Sequence, residues 1–248
     1  MIDHVGISRG FNRKALEEKR PVISRKMIMA GHQPNYLPWL GYFDKMKKCD
    51  VFVIEDAVQF EYHGYTNRNR IKTRGGATWL TVPVRAPARR QHINQVEIAN
   101  DSDPKWRRRH WRTLQANYGK APHWNEYNRF FEDTYKRTWE KLTDLNMHLI
   151  GGLMRFLNIK TRLVLASTLD VEGKKSELII RQCKALDADT YLSGAGGKAY
   201  IDIQEFKDAG LKVVFQDFKY PVYKQLHGDY IPNLSVVDYL FCTGAKER

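Results

Sequence analysis

Cysteine is scarce in this sequence. Cys49, Cys183 and Cys242 are the only three in 248 residues, and they stand far apart. With an odd number and no C-x-x-C pair, neither a disulfide framework nor a thiolate metal site is expected, and a reducing cytoplasm is the expected compartment. Apolar runs are short: none reaches the roughly 18 residues that a membrane-spanning helix needs. The opening residues, MIDHVGISRGFNRK, lack the apolar stretch of a secretory leader. Signatures of known chemistry are missing as well. The histidines fall in no H-x-H, H-x-x-x-H or H-E-x-x-H pattern, so no metal is expected. There is no G-x-S-x-G elbow, no P-loop and no G-x-G-x-x-G, so no cofactor can be named.

Positive charge, by contrast, is abundant. Lys and Arg number 41 against 28 Asp and Glu, a formal net charge of +13. Such an excess favours polyanions or phosphate-bearing small molecules. Arginine, the better bidentate phosphate ligand, clusters at Arg68, Arg70 and Arg74 and again at Arg107–Arg109. A solvated basic surface is the competing explanation for the second cluster.

Hydrophobic periodicity gives an α/β order. Met27–Ala30, Val51–Ile54, Thr78–Val84, Arg162–Ala166, Thr190–Leu192 and Leu211–Phe215 read as strands, and Ile93–Ile98 as a weaker one. Helices are expected over Trp39–Lys48, from Asp103-Pro104 to Tyr118, over a long stretch from Glu126 to Leu157, and at Lys174–Leu186, Ala199–Ala209 and Ser235–Phe241. This alternation predicts a mostly parallel, Rossmann-like sheet flanked by helices, with a long helical segment in the middle. Residues 1–26 read as a loosely ordered extension and 27–248 as a single domain.

Several stretches are candidates for chemistry. Gly31–Phe43, between the first strand and the first helix, brings His32, Gln33, Asn35, Tyr36 and Trp39 to the carboxyl end of a strand, where ligands bind in open α/β sheets. A rigid loop whose aromatics simply pack is the alternative. The second strand ends in Glu55-Asp56, followed by Gln59. A carboxylate there suits a general base, although Asp56 can equally cap a turn. In Asn67-Arg68-Asn69-Arg70-Ile71-Lys72, an extended backbone puts Arg68, Arg70 and Lys72 on one face, fit to clamp a diphosphate. An edge strand protected by charge would look the same. Ser193, Gly194, Gly196 and Gly197 follow a short strand and can form a nest of amides for an anion. Lys105–Arg112 interleaves cations with Trp106 and Trp111, a pattern that binds nucleic acid or, on a helix, packs inward.

Taken in order, these stretches resemble the WbqC-like protein family. The resemblance is carried by HQPNYLPWLGYF (32–43), DVFVIEDAVQ (50–59), NRNRI (67–71), WLTVPV (79–84), YGKAP (118–122), YLSGAGG (191–197) and PNLSVVD (232–238), and covers roughly Met27 to Gly244. It implies a role in bacterial surface-polysaccharide synthesis, with attachment of glycine or another aminoacyl group to an amino sugar.

The leading expectation is therefore a transferase acting on a nucleotide-linked amino sugar. Asp56 or His32 would take the proton from the amine, Tyr36 and Trp39 would stack on a base or sugar, and Arg68, Arg70 and Lys72 would hold phosphates. A charged tRNA is a candidate aminoacyl donor. The alternatives are a non-catalytic nucleic-acid-binding protein using Lys105–Arg112, and a ligand-binding or scaffold partner of a polysaccharide assembly complex.

Overall fold

The structure, a computed structural model, describes residues 26–245. The N-terminal extension expected at residues 1–26 therefore lies, but for its last residue, outside the described chain. The first half runs β1 (Ile28–His32), α1 (Leu40–Lys47), β2 (Val51–Ile54), β3 (Arg68–Thr73), β4 (Gly76–Thr81), α2 (Trp106–Tyr118), α3 (Trp124–Lys136) and α4 (Leu142–Phe156). The second half runs β5 (Arg162–Leu165), α5 (Lys175–Ala185), β6 (Thr190–Ser193), α6 (Ile203–Asp208), β7 (Lys212–Phe215) and α7 (Val236–Thr243).

Five strands form a parallel sheet in the order β5-β2-β1-β6-β7. Strand alternation divides their apolar side chains between two cores. Met29, Val51, Val53 and Tyr191 face a smaller core with Ile179, Cys183 and Phe206, contributed by α5 and α6. Ala30, Phe52, Ile54 and Leu192 face a larger core with residues of α1, α4 and α7. Both faces are covered, so the central strands read as continuous apolar runs. The order reverses between β1 and β6: the chain builds outward through β2 to β5 on one side and through β6 to β7 on the other. Strands β3 and β4 form a separate antiparallel hairpin.

Two departures from the expected elements share one cause. The long helix expected over Glu126–Leu157 is two helices, and Ile93–Ile98 is not a strand but a 3-10 turn at Ile93–Gln95 followed by extended chain. Ile98 takes the carbonyl of Glu140, the amide of Leu142 donates to Val96, and Glu97 bridges to Lys141. Pairing with residues 96–98 extends the backbone where one continuous helix would have passed. Ile93 and Val96 fall on opposite faces of a strand, but the turn brings both into the core, where each is fully buried. The helix expected at Ala199–Ala209 also starts later. A 3-10 turn at Ala195–Ala199 precedes α6, whose N-cap Asp202 accepts the amides of Gln204 and Glu205.

The long segment between β7 and α7 is anchored by a buried polar cluster. Asp238 is fully buried, and its carboxylate accepts from Tyr118 Oη at 2.7 Å, Tyr223 Oη at 2.7 Å and Gln225 Nε2 at 2.9 Å. Lys72, also buried, donates to Gln225 Oε1 and to the carbonyls of Gly228 and Asp229. Every member is satisfied, so truncating the hub strands several donors at once. Asp238→Ala is expected to lower the unfolding free energy by about 3 kcal/mol, and Asp238→Asn, which keeps an acceptor oxygen, by less. Urea denaturation of the two variants and the parent tests this.

Candidate functional site

In a doubly wound sheet, the loops after two adjacent strands part where the strand order reverses, leaving a crevice beyond their carboxyl ends. Here that crevice lies between β1 and β6. It encloses about 440 Å³ and is lined by Gly31 and His32 of β1 and Gln33 just after it, Glu55 and Val58 from the loop after β2, Lys45 from α1, and the Gly194–Gly197 turn after β6. Lys175, Leu178 and Ile179 of α5, with Tyr191 and Tyr200, complete the wall.

Two oppositely charged side chains meet the backbone at Gly31. Lys45 is only 3% exposed, and its Nζ donates to the Gly31 carbonyl at 2.8 Å. Glu55 Oε2 accepts from Gln182 Nε2 at 3.0 Å. A Cβ on residue 31 would lie 2.8 Å from Glu55 Oε1, so glycine is what lets the carboxylate lie over this strand. A Cβ on residue 194 would lie 3.7 Å from Lys45 Nζ, which places the ammonium against the turn after β6.

Desolvation pushes the Glu55 carboxyl up to about 7, against the opposing pull of Gln182 and Lys45. The same burial brings the Lys45 ammonium down to about 8. His32 sits edge-on to Tyr42, and burial together with Lys45 lowers it to about 3, so its imidazole is neutral. Tyr200 stands at the mouth, its phenol held above the usual range by burial and by Glu55. At neutral pH the cleft therefore holds a carboxylate close to its titration point, a positive ammonium and a neutral imidazole.

Of the residues singled out in the sequence, His32, Gln33, Gly194, Gly196 and Gly197 line this cleft, and Ser193 underlies it. The others are placed elsewhere. Asp56 is 1% exposed, and its two oxygens accept from Ser167 N at 2.9 Å and Ser167 Oγ at 2.6 Å. It caps the loop after β5, and the carboxylate facing the cleft belongs to its neighbour Glu55. Tyr36 is fully buried, its hydroxyl between His110 and Tyr135, so it offers no face to a ligand. Trp39 stacks on Tyr220. Asn35 is buried, and Gln59 forms a bridge with His92. Asn67 donates to the carbonyl of Val82, and Asn69 to those of Tyr36 and Leu37, pinning Leu37 at a φ of 44°. Lys72 belongs to the Asp238 cluster. Arg68 and Arg70 lie on the hairpin, outside the cleft lining. In α2, Trp106 is buried and donates to Asn100, while Trp111 stacks on Trp124.

Comparison with known proteins places this chain in a family. The model of the WbqC-like protein family matches residues 33–248. The chain belongs to the WbqC-like protein family. It is similar to Uncharacterized protein Rv1507c of Mycobacterium tuberculosis (strain ATCC 25618 / H37Rv), with 34% identity over 216 residues, 86% of this chain and 93% of that protein. No solved structure matches it.

Among the residues of this WbqC-like site that were not expected candidates are Lys45 and Lys175, which line the cleft, and Gln182, which holds Glu55. Lys45 sits between Tyr42 and Met46 on the buried arc of α1, and Gln182 between Ile179 and Cys183 on that of α5. A polar residue interrupting an apolar helical stripe was the available signal in both. Lys175 opens α5 and shows no such pattern. Because Lys45 favours the ionised form of Glu55, Lys45→Met is expected to raise the Glu55 pKa above 7. Carboxyl NMR titration of the variant checks this, and an unchanged midpoint would show that the two charges are not coupled.

Proposed function

We propose that this protein is a transferase that moves an aminoacyl group onto the amine of a nucleotide-linked amino sugar in bacterial surface-polysaccharide synthesis. The observation that carries the reading is Glu55 beside Lys45 in the cleft where the strand order reverses. An amine attacks an acyl carbon only when it has an unshared electron pair, and it must lose a proton as the bond forms. A carboxylate with a pKa near the working pH suits that transfer. In this scheme the sugar nitrogen attacks the acyl carbon and Glu55 takes its proton. The oxygen that becomes negative in the tetrahedral intermediate faces the Lys45 ammonium. Collapse expels the donor's leaving oxygen, which recovers the proton from Glu55.

Lys175, at the cleft wall, and the Gly194–Gly197 turn flank the space for the sugar's phosphates. His32 and Gln33 offer neutral hydrogen-bonding groups for sugar hydroxyls. A nucleic-acid reading built on Lys105–Arg112 finds less support, since Trp106 and Trp111 are engaged in packing and Arg109 is paired with Asp103 at 2.6 Å. A pure scaffold leaves the cost of a desolvated Glu55 in an open cleft without a purpose.

The test pairs Glu55→Gln with a pH profile, using a panel of nucleotide-linked amino sugars and aminoacyl donors. Turnover is expected to rise with pH as Glu55 ionises near 7 and to fall as Lys45 loses its proton near 8. Glu55→Gln should lower turnover by about 10²–10⁴-fold and abolish the rising limb. Full turnover by a folded Glu55→Gln protein would refute the assignment.

A further inference from the structure

Among the described residues four aromatic side chains are strongly exposed: Tyr62, Tyr65, Trp79 and Tyr200. Tyr200 stands at the mouth of the cleft. Tyr65 and Trp79 lie together at the β3–β4 hairpin, beside its arginines, and Tyr62 stands in the segment leading into it. The Arg68 guanidinium lies 4.3 Å and that of Arg70 5.7 Å from the Trp79 ring, and Tyr65 leans on the same ring at 5.8 Å. Arg68 is held in place by the carbonyls of His63, at 2.7 Å, and Gly64, at 3.3 Å. Arg74 is exposed at the hairpin turn.

These arginines differ from four others on the surface. Arg85, Arg109, Arg129 and Arg181 each have a carboxylate within ion-pair distance. Arg68 and Arg70 are half-buried without an acidic partner among the described residues, and Arg70 Nε is buried with no hydrogen-bond partner at all. Their charge has no acidic partner, and the rings beside it stay partly open to solvent, Trp79 at 40% and Tyr65 at 42%. The segment leading into the hairpin is tied to the cleft. Val58 lines the cleft, Phe60–His63 line a second groove with Ala86 and Pro87, and Thr66 donates to the cleft residue Gln33 at 3.3 Å.

We propose that this hairpin face binds single-stranded nucleic acid, with bases stacking on Trp79, Tyr65 and Tyr62 and phosphates meeting Arg68, Arg70 and Arg74. The net charge of +13 supplies long-range attraction, and unpaired guanidinium groups supply local phosphate contacts. Exposed rings accept bases only where those bases are unstacked, which selects single strands over duplex. A neutral glycan would use the rings but not the uncompensated arginines. The proposal goes beyond the transferase reading and does not depend on it, because it concerns binding at a surface that contains no cleft residue.

Fluorescence anisotropy of a short labelled single-stranded RNA, measured over rising KCl and set against its duplex, tests the proposal. Trp79→Ala is expected to weaken binding about tenfold, and Trp79→Phe to recover most of that loss. Arg70→Ala should reduce the slope of log affinity against log salt by about one. Arg129→Ala, a charge-matched change on α3, should leave the affinity close to that of the parent. Glu55→Gln should bind RNA like the parent even where turnover is lost, so the two readings fail separately. Any of three results overturns the proposal: no measurable RNA binding by the parent, equal affinity for duplex, or loss in Arg70→Ala no greater than in Arg129→Ala.

Discussion

A lysine and a glutamate are withdrawn from water together at the point where the sheet reverses direction, and much of the surrounding structure follows from accommodating them. Either charge alone would be costly to bury; together, and with hydrogen bonds, each offsets part of the other's cost. The Gly31 carbonyl takes the Lys45 ammonium and the Gln182 amide holds the Glu55 carboxylate. The absence of a side chain at residue 31 leaves room for the carboxylate. Three elements far apart in sequence, β1 with α1, the end of β2, and α5, must all be in place for this arrangement. Replacing the pair by apolar residues would serve stability at least as well, so its retention in an open cleft points to chemistry.

The sheet was the most legible part of the sequence. Apolar runs such as Val51–Ile54 and Thr190–Leu192, punctuated by turn residues, specify buried parallel strands with little ambiguity. The less legible regions depend on partners distant in the chain. Residues 96–98 and 140–142 determine one another's conformation, and neither stretch shows this in its own periodicity. Strand alternation placed Arg68, Arg70 and Lys72 on one face, but not which of them would be covered. The segment around Gln225–Asp229 closes over Lys72 and leaves the two arginines at the surface.

The same limit applies at the site. Alternation along β2 assigns Glu55 to the face of Val51 and Val53, and Asp56 to the face of Phe52 and Ile54. Which face carries the cleft emerges only when α5 is docked, with Gln182 on its buried side. The aromatic loop after β1 contains groups that bind ligands or fill cores equally well. Asn69 and Asn146 draw its backbone carbonyls inward, so Tyr36 becomes core while His32 and Gln33 remain at the cleft. The result is two adjacent regions of unlike character: a small cleft with a poised carboxylate, and a basic aromatic hairpin outside it, joined by the segment from Val58 to Thr66.

Backbone NMR offers the most direct test of the central assignment, that substrate binds in the cleft between β1 and β6. An isotopically labelled sample would be titrated with a uridine-diphosphate-linked amino sugar. The assignment predicts that the largest saturable shifts fall on Gly31, His32, Gln33, Glu55 and the Gly194–Gly197 turn. Shifts concentrated instead on the separate cavity lined by Leu40, Phe43, Phe218 and Tyr239, with the cleft amides unmoved, would contradict it.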